Sequence, residues 1–228
     1  MKRVISVLLA AVLLLGLTAC NGNSDNGKDT KPLREVGTYE PGVSGFYQIQ
    51  SEFYDYFLPL IGFGHVTVSD DKGNFSDAEL IKFAMLQLSY AGEDVDGEGV
   101  TQRQIERTTT RFLGQKPSSL NSSYLLYDTD EEVYRANNIP YEIGALMALQ
   151  KLTVASDGVC TAEFYRSKWP NGYGEGRENE EVKQDFLNNW HEGLDDVQRI
   201  RMTFRERDTD AYGYYIEVLS ITRLPDNP

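Results

Sequence analysis

Residues Val197–Leu224 read VQRIRMTFRERDTDAYGYYIEVLSITRL. Two β arms, 197–206 and 212–224, flank the turn-forming trio Asp208-Thr209-Asp210. In the first arm Ile200, Met202 and Phe204 alternate with Arg199, Arg201 and Arg205. Period-two alternation places one set in a core and the other in water, so this arm reads as a half-buried strand. The second arm is apolar on both faces, with Tyr214, Ile216 and Val218 opposite Tyr215, Leu219 and Ile221. That composition predicts a strand interior to a sheet. Upstream, Ser156-Asp157-Gly158 separates β-compatible runs at 148–155 and 159–166, a second hairpin. Four antiparallel strands follow from these two hairpins.

Helix signals lie before the strands. Ser76 and Glu79 have the spacing of a capping box, with Phe75 and Leu80 spaced as a hydrophobic staple. The following helix sets Ile81, Ala84, Met85 and Leu88 on one face and stops near Ala91-Gly92. Thr101 and Gln104 repeat the box, Val100 and Ile105 the staple, and Gly114 supplies a left-handed C-terminal stop. Residues 36–68 are dense in Tyr and Phe, which predicts extended segments with turns at Pro41-Gly42 and Gly62 and at most a short helical turn near 50–58. A short helix is expected over 179–191. Helices first and antiparallel strands after predict an α+β domain, two helices packed on a curved four-stranded sheet. In element order alone, residues 76–224 resemble cystatin-like and NTF2-like folds. The cystatin signature Gln-x-Val-x-Gly is absent, so the resemblance implies no protease inhibition.

The N-terminus carries a separate message. Lys2 and Arg3 precede an apolar run from Val4 to Ala19, the form of a secretory signal. The run is shorter than the roughly 20 residues that a spanning helix needs. Its end, Leu17-Thr18-Ala19-Cys20, resembles the lipobox of bacterial lipoproteins. The resemblance implies cleavage before Cys20, lipidation of its thiol and anchoring on the extracytoplasmic face of a cell membrane. Asn21 leaves the choice of inner or outer membrane open. Residues 1–19 are then a signal peptide, 20–34 a polar tether reaching roughly 20 Å on average, and 35–228 a single domain.

The chain has 22 Lys+Arg against 35 Asp+Glu, net −13. Such a charge repels phosphate backbones, which disfavours nucleic acid as a partner. With Cys20 lipidated, Cys160 has no intrachain disulfide partner.

Candidate chemistry is sparse. Asp94-Val95-Asp96-Gly97-Glu98-Gly99 resembles the first half of a calcium loop, with acids at Asp94, Asp96 and Glu98. Ile105 stands where the bidentate closing acid belongs, so the stretch reads better as an acidic helix–helix connection. Trp169-Pro-Asn-Gly-Tyr173-Gly offers two aromatics that either stack on a ligand ring or anchor the loop, and Trp169 and Tyr173 are the candidate ligand-binding residues. Cys160 with His65 or His191 would make a nucleophile–base pair, but Cys160 shares a strand face with Ala162 and Phe164 and reads as core. Arg199, Arg201 and Arg205 form a ridge expected to pair with acids on the next strand, such as Glu217. No cofactor motif is present. The expectation is a lipid-anchored, non-enzymatic binding or assembly module with a glycan or protein ligand. The alternative is a hydrolase of envelope or extracellular polymers.

Overall fold

The computed structural model describes residues 33–62, 65–139, 145–168, 197–209 and 213–225. Cys20 and most of the tether, the Trp169–Tyr173 loop, the expected helix at 179–191 and His191 lie outside these residues. The elements in chain order are β1 (Gly37–Tyr39), α1 (Phe46–Phe57, continued by a π-helical turn at Leu58–Gly62), α2 (Asp77–Tyr90), α3 (Gln102–Leu113), β2 (Leu125–Asp128), β3 (Val133–Ala136), β4 (Ala145–Val154), β5 (Val159–Lys168), β6 (Gln198–Thr209) and β7 (Gly213–Leu224). The class is α+β. An open antiparallel sheet runs β1-β4-β5-β6-β7, and β2-β3 form a separate hairpin.

Both expected hairpins form. Ala155 N–H bonds to Val159 O at 2.9 Å, and Gly158 closes the turn at φ 77°, a left-handed value that suits glycine. In the second hairpin Asp208 and Thr209 are still in register with Tyr214 and Gly213, so the strands run further than expected. Ile200, Met202 and Phe204 are fully buried, as are Cys160 and Ala162, while Phe164 on the same face is only 4% exposed.

Three expectations are corrected. First, the sheet has five strands, because Gly37–Tyr39 pairs with Leu152–Val154. Second, the helix packed on the sheet is α1, in the segment expected to be extended. Phe46, Ile49, Phe53 and Phe57 recur at intervals of three and four, a helical stripe, and all are buried. Phe53 meets Phe204 edge-on at 5.3 Å between ring centroids, and Phe57 meets Phe164 at 4.8 Å. Third, β7 is an edge strand. Its apolar outer side is explained by cover: Ser69 N–H bonds to Ile221 O at 3.0 Å, and Phe112 of α3 lies against Tyr215 at 6.3 Å. The edge is thereby blocked at Ile221 against pairing with another chain.

The caps form unequally. Thr101 and Gln104 make the full reciprocal box, and Gly114 takes φ 64° at the helix end. At α2, Ser76 Oγ accepts from Glu79 N–H at 3.3 Å, but the Glu79 carboxylate turns inward instead of back to Ser76. The arginine ridge pairs with a different acid from the one expected. Arg199 and Arg201 reach Glu163 on β5 at 3.8 and 2.9 Å, while Glu217 is held by Arg207 at 2.5 Å.

Candidate functional site

A groove of about 660 Å³ opens between α3, the segment 116–122 and the β2–β3 hairpin. Each wall has a local cause. The Thr101 box fixes the first turn of α3, so Gln102 and Glu106, one turn apart, share a face. Gln102 Nε2 donates to Glu106 Oε1 at 2.5 Å, and Lys116 Nζ lies 4.0 Å from Glu106 Oε2. The opposite wall is held by Asp77 in the first turn of α2. Its carboxylate accepts from Ser118 N–H at 2.8 Å, Ser118 Oγ at 2.7 Å and Ser119 N–H at 3.0 Å. The Ser118 bonds hold the Asp77 carboxyl below the usual range.

The floor is a tyrosine pair. Tyr127 and Tyr134 are register partners across β2 and β3, with centroids 4.7 Å apart and planes at 40°. Tyr134 and Val100 exchange backbone hydrogen bonds of 2.7 and 2.8 Å. The Tyr134 backbone groups therefore point away from β2, and Tyr127–Tyr134 is a non-hydrogen-bonded pair, the closer of the two antiparallel kinds. Tyr127 is 52% exposed and Leu126 57%.

The acidic loop is held by its own hydrogen bonds and by Arg135. Asp94 Oδ1 accepts from Gly97 N–H at 2.8 Å, and its backbone carbonyl accepts from Gly99 N–H at 2.9 Å. Arg135 Nε donates to Gly97 O at 2.7 Å, and the same guanidinium binds Asp128 and Glu131. Arg135 thus ties the 94–99 loop to the hairpin. Among the described residues no three acids, histidines or cysteines converge as a metal site, and Asp96 and Glu98 join no such group.

Among the described residues Cys160 meets no base. It is 1% exposed, between register partners Val154 and Phe204. Burial, then the Glu206 charge, pushes its thiol up to about 12, which keeps it protonated and inert. His65 is engaged elsewhere. Its Nε2 lies 2.6 Å from Glu79 Oε2, and its Nδ1 lies 3.4 Å from Lys82 Nζ. Lys82 Nζ also donates to Glu79 Oε1 at 2.7 Å and lies 5.0 Å from the Tyr124 ring centroid. Burial raises the Glu79 carboxyl, but the His65 and Lys82 bonds outweigh it and leave it lowered. A lowered folded-state value stabilises the fold above the unfolded carboxyl value of ~4.3 and loses that contribution as pH falls. Glu79→Gln should therefore cost about 1–3 kcal/mol near neutral pH. Urea midpoints should show the gap to the unsubstituted protein closing as pH falls through 4, and a gap independent of pH would refute the role.

Neither the groove nor a further cluster, around Arg34, is among the sequence expectations. Arg34, at the end of the expected tether, bonds Glu206 Oε1 at 2.9 Å and Glu52 Oε2 at 2.7 Å. Tyr214 Oη donates to the same Glu206 oxygen at 2.6 Å. The available signal was Glu206 itself, which continues the alternation of Ile200, Met202 and Phe204 onto the core face.

Comparison with protein-family models, curated proteins and solved structures finds no match.

Proposed function

We propose that this protein is a lipid-anchored module on the extracytoplasmic face of a cell membrane, and that it binds its ligand in the groove without converting it. The carrying observation is the groove's chemistry. Its described lining holds hydroxyls, amides, two tyrosines and a few apolar side chains, with one carboxylate, Glu106, paired to one ammonium, Lys116, and neither histidine nor cysteine. Glycoside hydrolysis ordinarily uses two carboxylates across the bond to be cut. A groove with one acid and an aromatic floor suits recognition better than hydrolysis. The meander β4–β7 wrapped on α1 supports a cystatin-like layout, a scaffold that serves many unrelated binding roles.

The anchor reading rests on the basic start, the apolar run and Leu-Thr-Ala-Cys20. Among the described residues no helix is long and apolar enough to cross a membrane. Cys20→Ala should leave unprocessed precursor and abolish incorporation of labelled fatty acid. Undiminished labelling in that variant would remove the anchor from the proposal.

Binding is tested by presenting the purified protein to glycan and peptide arrays, with Tyr127→Ala and Trp169→Ala beside it. Hits weakened at least tenfold by Tyr127→Ala support the groove. Hits lost only in Trp169→Ala would move the site to the 169–173 loop, and silence on both arrays would end the binding reading.

A further inference from the structure

We infer that the ligand is an extended, basic peptide segment that adds as a third strand to the outer edge of β2. This rests on the groove being a binding face, and names what it binds. The Tyr134 N–H and C=O point toward Val100, and Ala136 N–H points to Val95 O at 2.9 Å. In an antiparallel pair, the partners of such residues also turn their backbone groups outward. Leu125 and Tyr127 are those partners. Leu125 N–H is used at 3.2 Å by Ser122 O in the entry turn. The Leu125 C=O and both backbone groups of Tyr127 make no hydrogen bond to a described residue. They are spaced as a strand edge.

Two further observations choose the occupant. A sugar ring would use the tyrosine faces and leave this edge unpaired, whereas an added strand satisfies the edge through its main chain and seats alternate side chains beside the tyrosines. Charge then selects the sequence. β2 runs into Asp128-Thr129-Asp130-Glu131-Glu132, four acids in five residues, of which Asp128 and Glu131 share the single guanidinium of Arg135. In the groove Glu106 is offset by Lys116, so the 128–132 acids supply the local negative charge, and the whole chain carries net −13. An extended segment alternating basic and β-branched residues matches this edge in hydrogen bonding, side-chain period and charge.

The test uses the purified protein and a library of end-capped hexapeptides alternating lysine or arginine with valine, isoleucine or threonine, read by fluorescence polarisation. Binding hits should lose roughly tenfold affinity when a backbone nitrogen facing the edge is N-methylated, and little when the next one is, because alternate N–H groups point to opposite sides. Hydrogen exchange should show the Tyr127 amide fast in the free protein and protected in the complex. Tyr127→Pro removes an amide that bonds no described residue, so it should fold and bind peptide more weakly than Tyr127→Ala. If Tyr127→Pro fails to fold, the N-methylation series and the exchange measurement decide. Uniform effects of N-methylation, or an unprotected Tyr127 amide, would overturn strand addition. Array hits on glycans alone, weakened by Tyr127→Ala, would overturn the peptide while leaving the groove a binding site. No hits of either kind would remove the groove reading itself.

Discussion

Phe57→Ala should lower unfolding stability by about 3–5 kcal/mol, the range for emptying a large buried aromatic site. For a domain of this size that is a fall of roughly 10–15 °C in melting temperature. Phe57 is 1% exposed and sits where three aromatic rings converge on the sheet's core face. Its centroid lies 5.2 Å from Phe53, 4.8 Å from Phe164 and 5.5 Å from Phe204. The hole cannot collapse easily, because Phe164 and Phe204 are fixed by strand register and Phe53 by its own helix. Phe57→Leu keeps most of the volume and should lose well under half as much. The comparison, read by thermal and urea unfolding, isolates packing from helix propensity, since alanine is the better helix former. A shift below 3 °C for Phe57→Ala would mean that α1 does not hold the sheet as described.

The same segment shows where sequence reading stops. The hairpins were legible because alternation in 197–206 and a Ser-Asp-Gly turn are local signals with one geometric meaning. α2 and α3 were legible because their caps and staples lie within five residues. α1 was hidden by composition. Tyr and Phe favour strands, and that preference masked the spacing of Phe46, Ile49, Phe53 and Phe57, which only a helix brings to one face. β7 was misplaced for a different reason. Apolar residues on both faces mean burial on both faces, and a covering helix supplies that as well as a neighbouring strand does. The groove was not legible at all. Its walls come from Asp77 gripping Ser118 and Ser119 some forty positions away, and from the outward turn of the Tyr127 backbone, which depends on Val100 pairing with Tyr134. Glu79 carried a misleading signal, since its capping-box position conceals a side chain committed to His65 and Lys82.

Arg34→Ala should be nearly as damaging as Phe57→Ala, at about 3 kcal/mol or somewhat more, because it strands a charge. The Glu206 side chain is only 3% exposed, and its Oε2 already has no hydrogen-bond partner among the described residues. Its other oxygen is shared by Arg34 Nε and Tyr214 Oη. Burial works against the Arg34 charge, but Glu52, Glu206 and Tyr214 together more than compensate and hold the guanidinium above its ordinary value. Burial, reinforced by Glu206, likewise raises the Tyr214 phenol, so it remains a donor across the physiological range. Arg34 is 20% exposed, and water entering the vacated site sets the loss toward the lower end of the range. Glu52 is 40% exposed, so Glu52→Ala should cost less than about 1 kcal/mol. The decisive comparison is the double variant Arg34→Met, Glu206→Leu. Exchanging both charges for apolar groups of similar length removes the stranded carboxylate, so most of the stability lost in Arg34→Ala should return. If the double variant is as unstable as the sum of the two single changes, the residues act independently. The cluster is then not the clasp that joins the start of the domain to the far end of its sheet.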